Sequence, residues 1–226
     1  MKRSEINSLI VEARSYFLKM NFKLPPVAYW SPEQILNGGP EVREIIDVGI
    51  GWDLTDFGSG DFRKTGLLLF TLRNGSLADS NYSKTYAEKI MIVQEGQLTP
   101  THYHWKKTED IINRGGGNLI IKVNNATSDD KLNNSLVAFS LDGVRYIRPA
   151  GTEIKLAPGD SITLTPGIYH SFWGEAGNGT VLVGEVSSVN DDRSDNCCLD
   201  PQLRFPEIDE DALPIHLLVS DYRKGE

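Results

Sequence analysis

At 226 residues with 39% hydrophobic content, the chain is long enough to bury one sizeable core. Its 31 acidic residues against 23 basic ones give a formal charge of -8, which leaves no positive field for a phosphate backbone or an anionic membrane and excludes nucleic acid as a partner class. Glu12, Arg14 and Lys19 interrupt the apolar residues near the N-terminus, so no stretch there reads as a signal peptide or membrane span, and a soluble cytoplasmic protein is expected.

Ser4 is placed to cap a first helix, whose apolar residues Ile6, Leu9, Ile10, Ala13, Phe17 and Met20 recur at helical spacing. Pro25-Pro26 is its expected stop. Ser31-Pro32-Glu33 opens a second, shorter helix that ends at Gly38-Gly39-Pro40. Residues 1–44 thus read as a helical arm that packs its stripe on the rest of the protein or on a partner subunit.

From about Ile45 the pattern changes to short β-like runs between turn residues, at 66–72, 86–95, 117–124, 146–156, 161–165 and 180–186. Many short strands and few helices predict a mainly β fold, an antiparallel sandwich or barrel of the jelly-roll kind, with 1–226 as a single domain. The only cysteines, Cys197 and Cys198, are adjacent, which disfavours a relaxed disulfide between them. They read as free thiols of a reducing compartment. The apolar run 213–219 near the C-terminus has no clear place in the pattern, and His216 within it reads as structural.

The histidines carry the chemistry. His102 and His104 are two apart, so on an extended strand both imidazoles face the same side. Glu109 follows after a gap long enough for a turn, from which its carboxylate returns to the same point. His170 comes just after Thr165-Pro166-Gly167, where a turn starts a new strand. Three neutral imidazoles and a carboxylate suit one ion of Mn, Fe, Co, Ni or Zn.

In this stretch the sequence resembles the cupin superfamily. Gly96, His102, His104, Glu109 and Gly116 match the first cupin motif in order and spacing, and Gly159, Gly167 and His170 match much of the second. Pro166 and Gly174 depart from that second motif. The resemblance extends to the D-lyxose isomerase family through residues 99–110 and 184–192. It implies a cupin jelly-roll barrel with an N-terminal helical extension, a homodimer, and a Mn2+ ion held by His102, His104, Glu109 and His170, with Co2+, Fe2+, Ni2+ or Zn2+ as possible substitutes. It also implies a small-molecule sugar substrate, with interconversion of D-lyxose and D-xylulose and of D-mannose and D-fructose.

Such a reaction needs a base to move a proton between C1 and C2. Glu185 is the preferred one, because it lies in the apolar run 181–186 where an unpaired carboxylate is costly to bury. Pairing with a structural Lys or Arg is the alternative for it. Lys89 shares strand parity with Met91 and Val93, which suits an inward position beside a substrate oxygen, with a solvated edge lysine as the alternative. Of Lys106 and Lys107, parity from His104 favours Lys106. Asp191 and Arg193 are candidate contacts for the distal sugar hydroxyls, and Trp52 and Phe172 candidate walls of the pocket, with Tyr103 and Trp173 beside them. Ligands for one metal only favour proton transfer through a cis-enediol over a hydride shift. Two other readings use the same shell: a cupin dioxygenase with Fe or Ni, and a non-enzymatic metal-dependent sugar-binding protein.

Overall fold

The computed structural model of the chain describes residues 1–205 and 207–222. Helix α1 (Arg3–Lys19) buries Ile6, Leu9, Ile10, Ala13 and Phe17 on one face, the stripe its periodicity predicts. Its start differs from expectation, since Lys2 is the N-cap residue and offers no side-chain bond. Ser4 instead donates its hydroxyl to Asp211 Oδ2 at 2.7 Å and its amide to Asp211 Oδ1 at 2.9 Å. A carboxylate from far along the chain does the work of a local cap. The helix also ends well before Pro25-Pro26, where Asn21 turns the chain at φ 55°.

Helix α2 (Pro32–Leu36) opens with the expected Ser-Pro, and Ser31 and Gln34 complete a capping box. The β region begins later than the sequence pattern suggests. Residues around Ile45 form a third helix, α3 (Arg43–Val48), which stops at Gly49 in a left-handed conformation at φ 69°. The β-branched pair Ile45-Ile46 resembles a strand start, but it lies inside this helix, ahead of its glycine stop.

Among the described residues fourteen strands follow: β1 (Gly51–Thr55), β2 (Leu67–Arg73), β3 (Tyr86–Val93), β4 (Thr99–Tyr103), β5 (Glu109–Gly116), β6 (Leu119–Ala126), β7 (Leu132–Asn133), β8 (Val137–Leu141), β9 (Val144–Arg148), β10 (Thr152–Leu156), β11 (Ser161–Leu164), β12 (Ile168–Gly174), β13 (Val181–Ser188) and β14 (Cys197–Cys198). The run 146–156 is two strands rather than one, because Pro149 and Gly151 turn the chain between β9 and β10. The strands form two antiparallel sheets. The larger runs β1-β2-β3-β13-β5-β11-β8-β9 and the smaller β10-β6-β12-β4-β14, with β7 paired to β6.

Alternation along the strands of the larger sheet creates two cores. Leu67, Leu69, Met91, Val93, Val181 and Val183 point between the sheets. Leu68, Phe70, Ile90, Ile92 and Leu182 point outwards and are covered by α1. The helix is pinned at its N-terminal end by Arg3, 2% exposed, which pairs with Glu210 and Asp221. Part of the run 213–219 lies on the same outer side, where Leu218 bridges to Trp52. Pro206 and residues 223–226 lie outside the described residues. No helix among the described residues is long and apolar enough to cross a membrane.

Candidate functional site

β4 and β12 carry the histidines to one place, because His102 is the register partner of His170. The ring centroids of these two lie 4.3 Å apart, and that of His104, just past the end of β4, lies 5.3 Å from His102 and 6.0 Å from His170. The three imidazoles form a group that can hold a metal ion, with one nitrogen from each lying within 4.8 Å of the others.

The second nitrogen of each ring explains why. His102 Nδ1 meets the Pro100 carbonyl at 2.8 Å, His170 Nδ1 meets that of Ile168 at 3.1 Å, and His104 Nδ1 meets that of Asp195. A carbonyl only accepts, so each Nδ1 carries the proton and each Nε2 is left with a lone pair. Burial pushes the pKa of both His102 and His104 down, which favours the neutral, ligating form.

Glu109, the first residue of β5, lies beside these rings. Its Oε1 lies 3.0 Å from His170 Nε2 and its Oε2 3.6 Å from His104 Nε2. His104 Nε2, His170 Nε2 and Glu109 Oε1 are buried without a hydrogen-bond partner. Buried polar atoms are rarely left orphaned. Convergent imidazole nitrogens and a carboxylate oxygen in that condition fit a divalent cation.

A small cavity of about 40 Å³ surrounds this cluster. One wall is the smaller sheet, with the histidines and Phe172. The other is the inner face of the larger sheet, where the apolar residues give way to charge. Register pairs Glu185 on β13 with Lys89 on β3 and with Ile111 on β5. Lys89 Nζ lies 3.3 Å from Glu185 Oε1. Lys107 Nζ lies 2.9 Å from Glu185 and 2.7 Å from Glu109, joining the metal cluster to the carboxylate on β13.

Burial works to raise the pKa of Glu185, but the ammonium groups of Lys107 and Lys89 outweigh it and hold the carboxyl below its ordinary value. Burial likewise works against ionised Glu109, and the Lys107 ammonium reverses it and takes that carboxyl well below the usual range. Both carboxylates are therefore ionised at neutral pH. Lys107 moves the other way, raised by Glu109 and Glu185 against the effect of its own burial.

Several expected residues lie elsewhere. Lys106 is exposed, and its backbone amide bonds Asp195 Oδ1 at 2.9 Å. The chain leaves extended geometry at His104, so two-residue parity no longer applies and Lys107 turns inwards instead. Asp191 is exposed and caps its own turn through Ser194 and the Arg193 amide. Arg193 is exposed and reaches over the Phe205 ring at 6.0 Å. The neighbour Asp192 lines the cavity in their place, together with Arg204, which pairs with it at 2.8 Å and also with Asp53.

Trp52 is not a cavity wall. Its indole donates to the Ala28 carbonyl at 2.9 Å and packs edge-on against Phe70, with centroids 5.1 Å apart, in the outer core. Tyr103 also points away from the cavity, to Asp130. His216 lies on the outer side, bonded to the Trp30 carbonyl at 2.8 Å and stacked on Trp52. Asp53 differs from Trp52 by one step of strand alternation, and Arg204 lies in an irregular segment with no periodicity to orient it.

The chain matches the D-lyxose isomerase family over residues 1–222. It is 52% identical over 224 residues to a D-lyxose/D-mannose isomerase of Serratia proteamaculans, covering 98% of each chain. It is 50% identical over 225 residues to a D-lyxose/D-mannose isomerase of Escherichia coli O157:H7, covering 99% of each. Among solved structures, the L-ribose isomerase of Cellulomonas parahominis with L-ribose is similar in fold, with a TM-score of 0.57 at 18% identity over 88% of this chain and 93% of that one.

Proposed function

The chain belongs to the D-lyxose isomerase family and is an aldose–ketose isomerase, and from that premise we propose that its cavity interconverts D-lyxose with D-xylulose, and D-mannose with D-fructose, by proton transfer. The observation that carries this reading is a buried, ionised carboxylate, Glu185, bridged by Lys107 to the histidine cluster.

We assign His102, His104, His170 and Glu109 as the ligands of one divalent ion, Mn2+ in the cell. Bound there, the ion supplies Lewis-acid polarisation of the sugar carbonyl and makes the adjacent C–H more acidic. Glu185 takes the proton from C2 of the open-chain aldose and returns it to C1, through a cis-enediol. Lys107 and Lys89 donate hydrogen bonds to the sugar oxygens on which negative charge grows. As they turn to the sugar they leave Glu185, and the loss of two counter-charges raises its basicity when a base is needed. Asp192, held by Arg204 at 2.8 Å, addresses the hydroxyls further along the sugar.

The reading carries with it a cytoplasmic homodimer whose protomer is one domain over 1–226. Its test is an assay of the manganese-loaded protein with D-lyxose and D-mannose, in air and without oxygen. Ketose formation at equal rates in both atmospheres is expected. Oxygen consumption in place of ketose would favour dioxygenase chemistry, and binding without turnover would make the protein a sugar receptor.

A further inference from the structure

β4 contains an irregularity beside the histidines. On β12, His170 and Phe172 are two residues apart, while their partners on β4, His102 and Thr99, are three apart. One extra residue on β4 is a bulge, and a bulge redirects the side chains beyond it. Under strict alternation Thr99 would face away from His102. It lines the same cavity instead, opposite the wall of Lys89 and Glu185.

Thr99 is 2% exposed, and its Oγ1 is buried with no hydrogen-bond partner. That is a cost to the fold with no internal return, since a buried hydroxyl without a partner is destabilising. Asn196 Oδ1, lining the same cavity, is also buried without a partner. A hydroxyl that donates and accepts, together with an amide oxygen that accepts, matches the two-way hydrogen bonding of a sugar hydroxyl. Lys89, Lys107 and Glu185 on the opposite wall serve the reacting carbons, which leaves a hydroxyl on a non-reacting carbon for this side.

We propose that Thr99 Oγ1, turned into the cavity by the β4 bulge, is a specificity-determining group that bonds a hydroxyl on a non-reacting carbon of the open-chain sugar. This rests on the isomerase reading for the ligand class and on the bulge and the orphaned hydroxyl for the residue.

The test compares wild type, Thr99→Val and Thr99→Ser as metal-loaded proteins. Calorimetric titration with D-arabinitol, a linear pentitol that cannot turn over, is paired with KM and kcat for D-lyxose and with the thermal midpoint. Thr99→Val should weaken D-arabinitol binding and raise KM by about 3- to 10-fold, the size of one uncharged hydrogen bond, with the loss carried by KM rather than kcat. Its thermal midpoint without sugar should stay the same or rise, because a purely structural hydroxyl would give the opposite sign. Thr99→Ser should restore the affinity.

Unchanged binding and KM in Thr99→Val would overturn the inference, and so would a variant that melts lower or fails to fold. Wild-type turnover of D-lyxose is read separately. Its absence, with Thr99-dependent pentitol binding kept, would overturn the isomerase reading and leave the subsite. Turnover with equal constants in Thr99→Val would do the reverse.

Discussion

The two faces of the larger sheet are made by the same strands and behave as different materials. Along β2, β3 and β13 the outward residues Leu68, Phe70, Ile90, Ile92 and Leu182 form an unbroken apolar surface under α1. The inward residues begin in the same way, with Leu69, Met91 and Val183, but end in Lys89 and Glu185 at 5% exposure or less. Burying those charges gains nothing for the fold that another Leu or Val would not supply better. The difference teaches where to look for function: the face that packs is uniform, and the face that acts departs from the apolar pattern of its own strands.

Removing the metal should produce the largest effect and confine it to the inner face. Treating the protein with a chelator, or replacing His170 by Ala, should reduce isomerisation to background while circular dichroism of the fold is retained. Activity undiminished in metal-free protein would break the assignment of the cluster. Glu185→Gln comes next, with bound metal unchanged and kcat lower by about 10²- to 10⁴-fold, the usual worth of a general base. Near-normal turnover would reduce Glu185 to a structural partner of its lysines.

The outer face should respond in the opposite currency. Leu68→Ala, at a position 4% exposed, should lose about 2–5 kcal/mol of stability by denaturant unfolding, while kcat per folded, metal-loaded molecule stays near wild type. Acid should also distinguish the faces. In metal-free protein the unfolded chain takes up protons that buried His102 and His104 resist, so the thermal midpoint should fall as pH drops below 6.5. It should fall further below 4.5, where unfolded glutamates protonate before Glu109 and Glu185, whose folded pKa values are depressed. The smallest expected effect is that of Lys106→Ala, since Lys106 is exposed and outside the cavity. Kinetic constants close to wild type should result, against a clear loss for Lys107→Ala.

What the sequence disclosed and what it hid follow from the same alternation. The His102–His104 pair, Glu109 and His170 are legible because their spacing encodes the fold that brings them together, and Glu185 stands out against apolar neighbours. Lys89 is legible by parity with Met91. Parity fails where the chain leaves the strand: at the loop after His104, which turns Lys107 inwards, and at the bend after Asn190, which turns in Asp192 rather than Asp191. It also needs an anchor, and β1 has none in its sequence, so Trp52 and Asp53 could not be assigned to their faces until β1 was seen paired to β2. Arg204 and the Asp211 cap on α1 depend on contacts between residues far apart in the chain, for which no local pattern exists.

The central claim is that Glu185 moves a proton rather than assisting a hydride shift. Isomerising D-lyxose with the manganese-loaded protein in D₂O and reading the D-xylulose by NMR tests it directly. A proton that resides on a carboxylate exchanges with solvent, so deuterium should appear at C1 of the product, and the incorporation should vanish together with turnover in Glu185→Gln. Product formed over many turnovers with no deuterium at C1 would contradict the account.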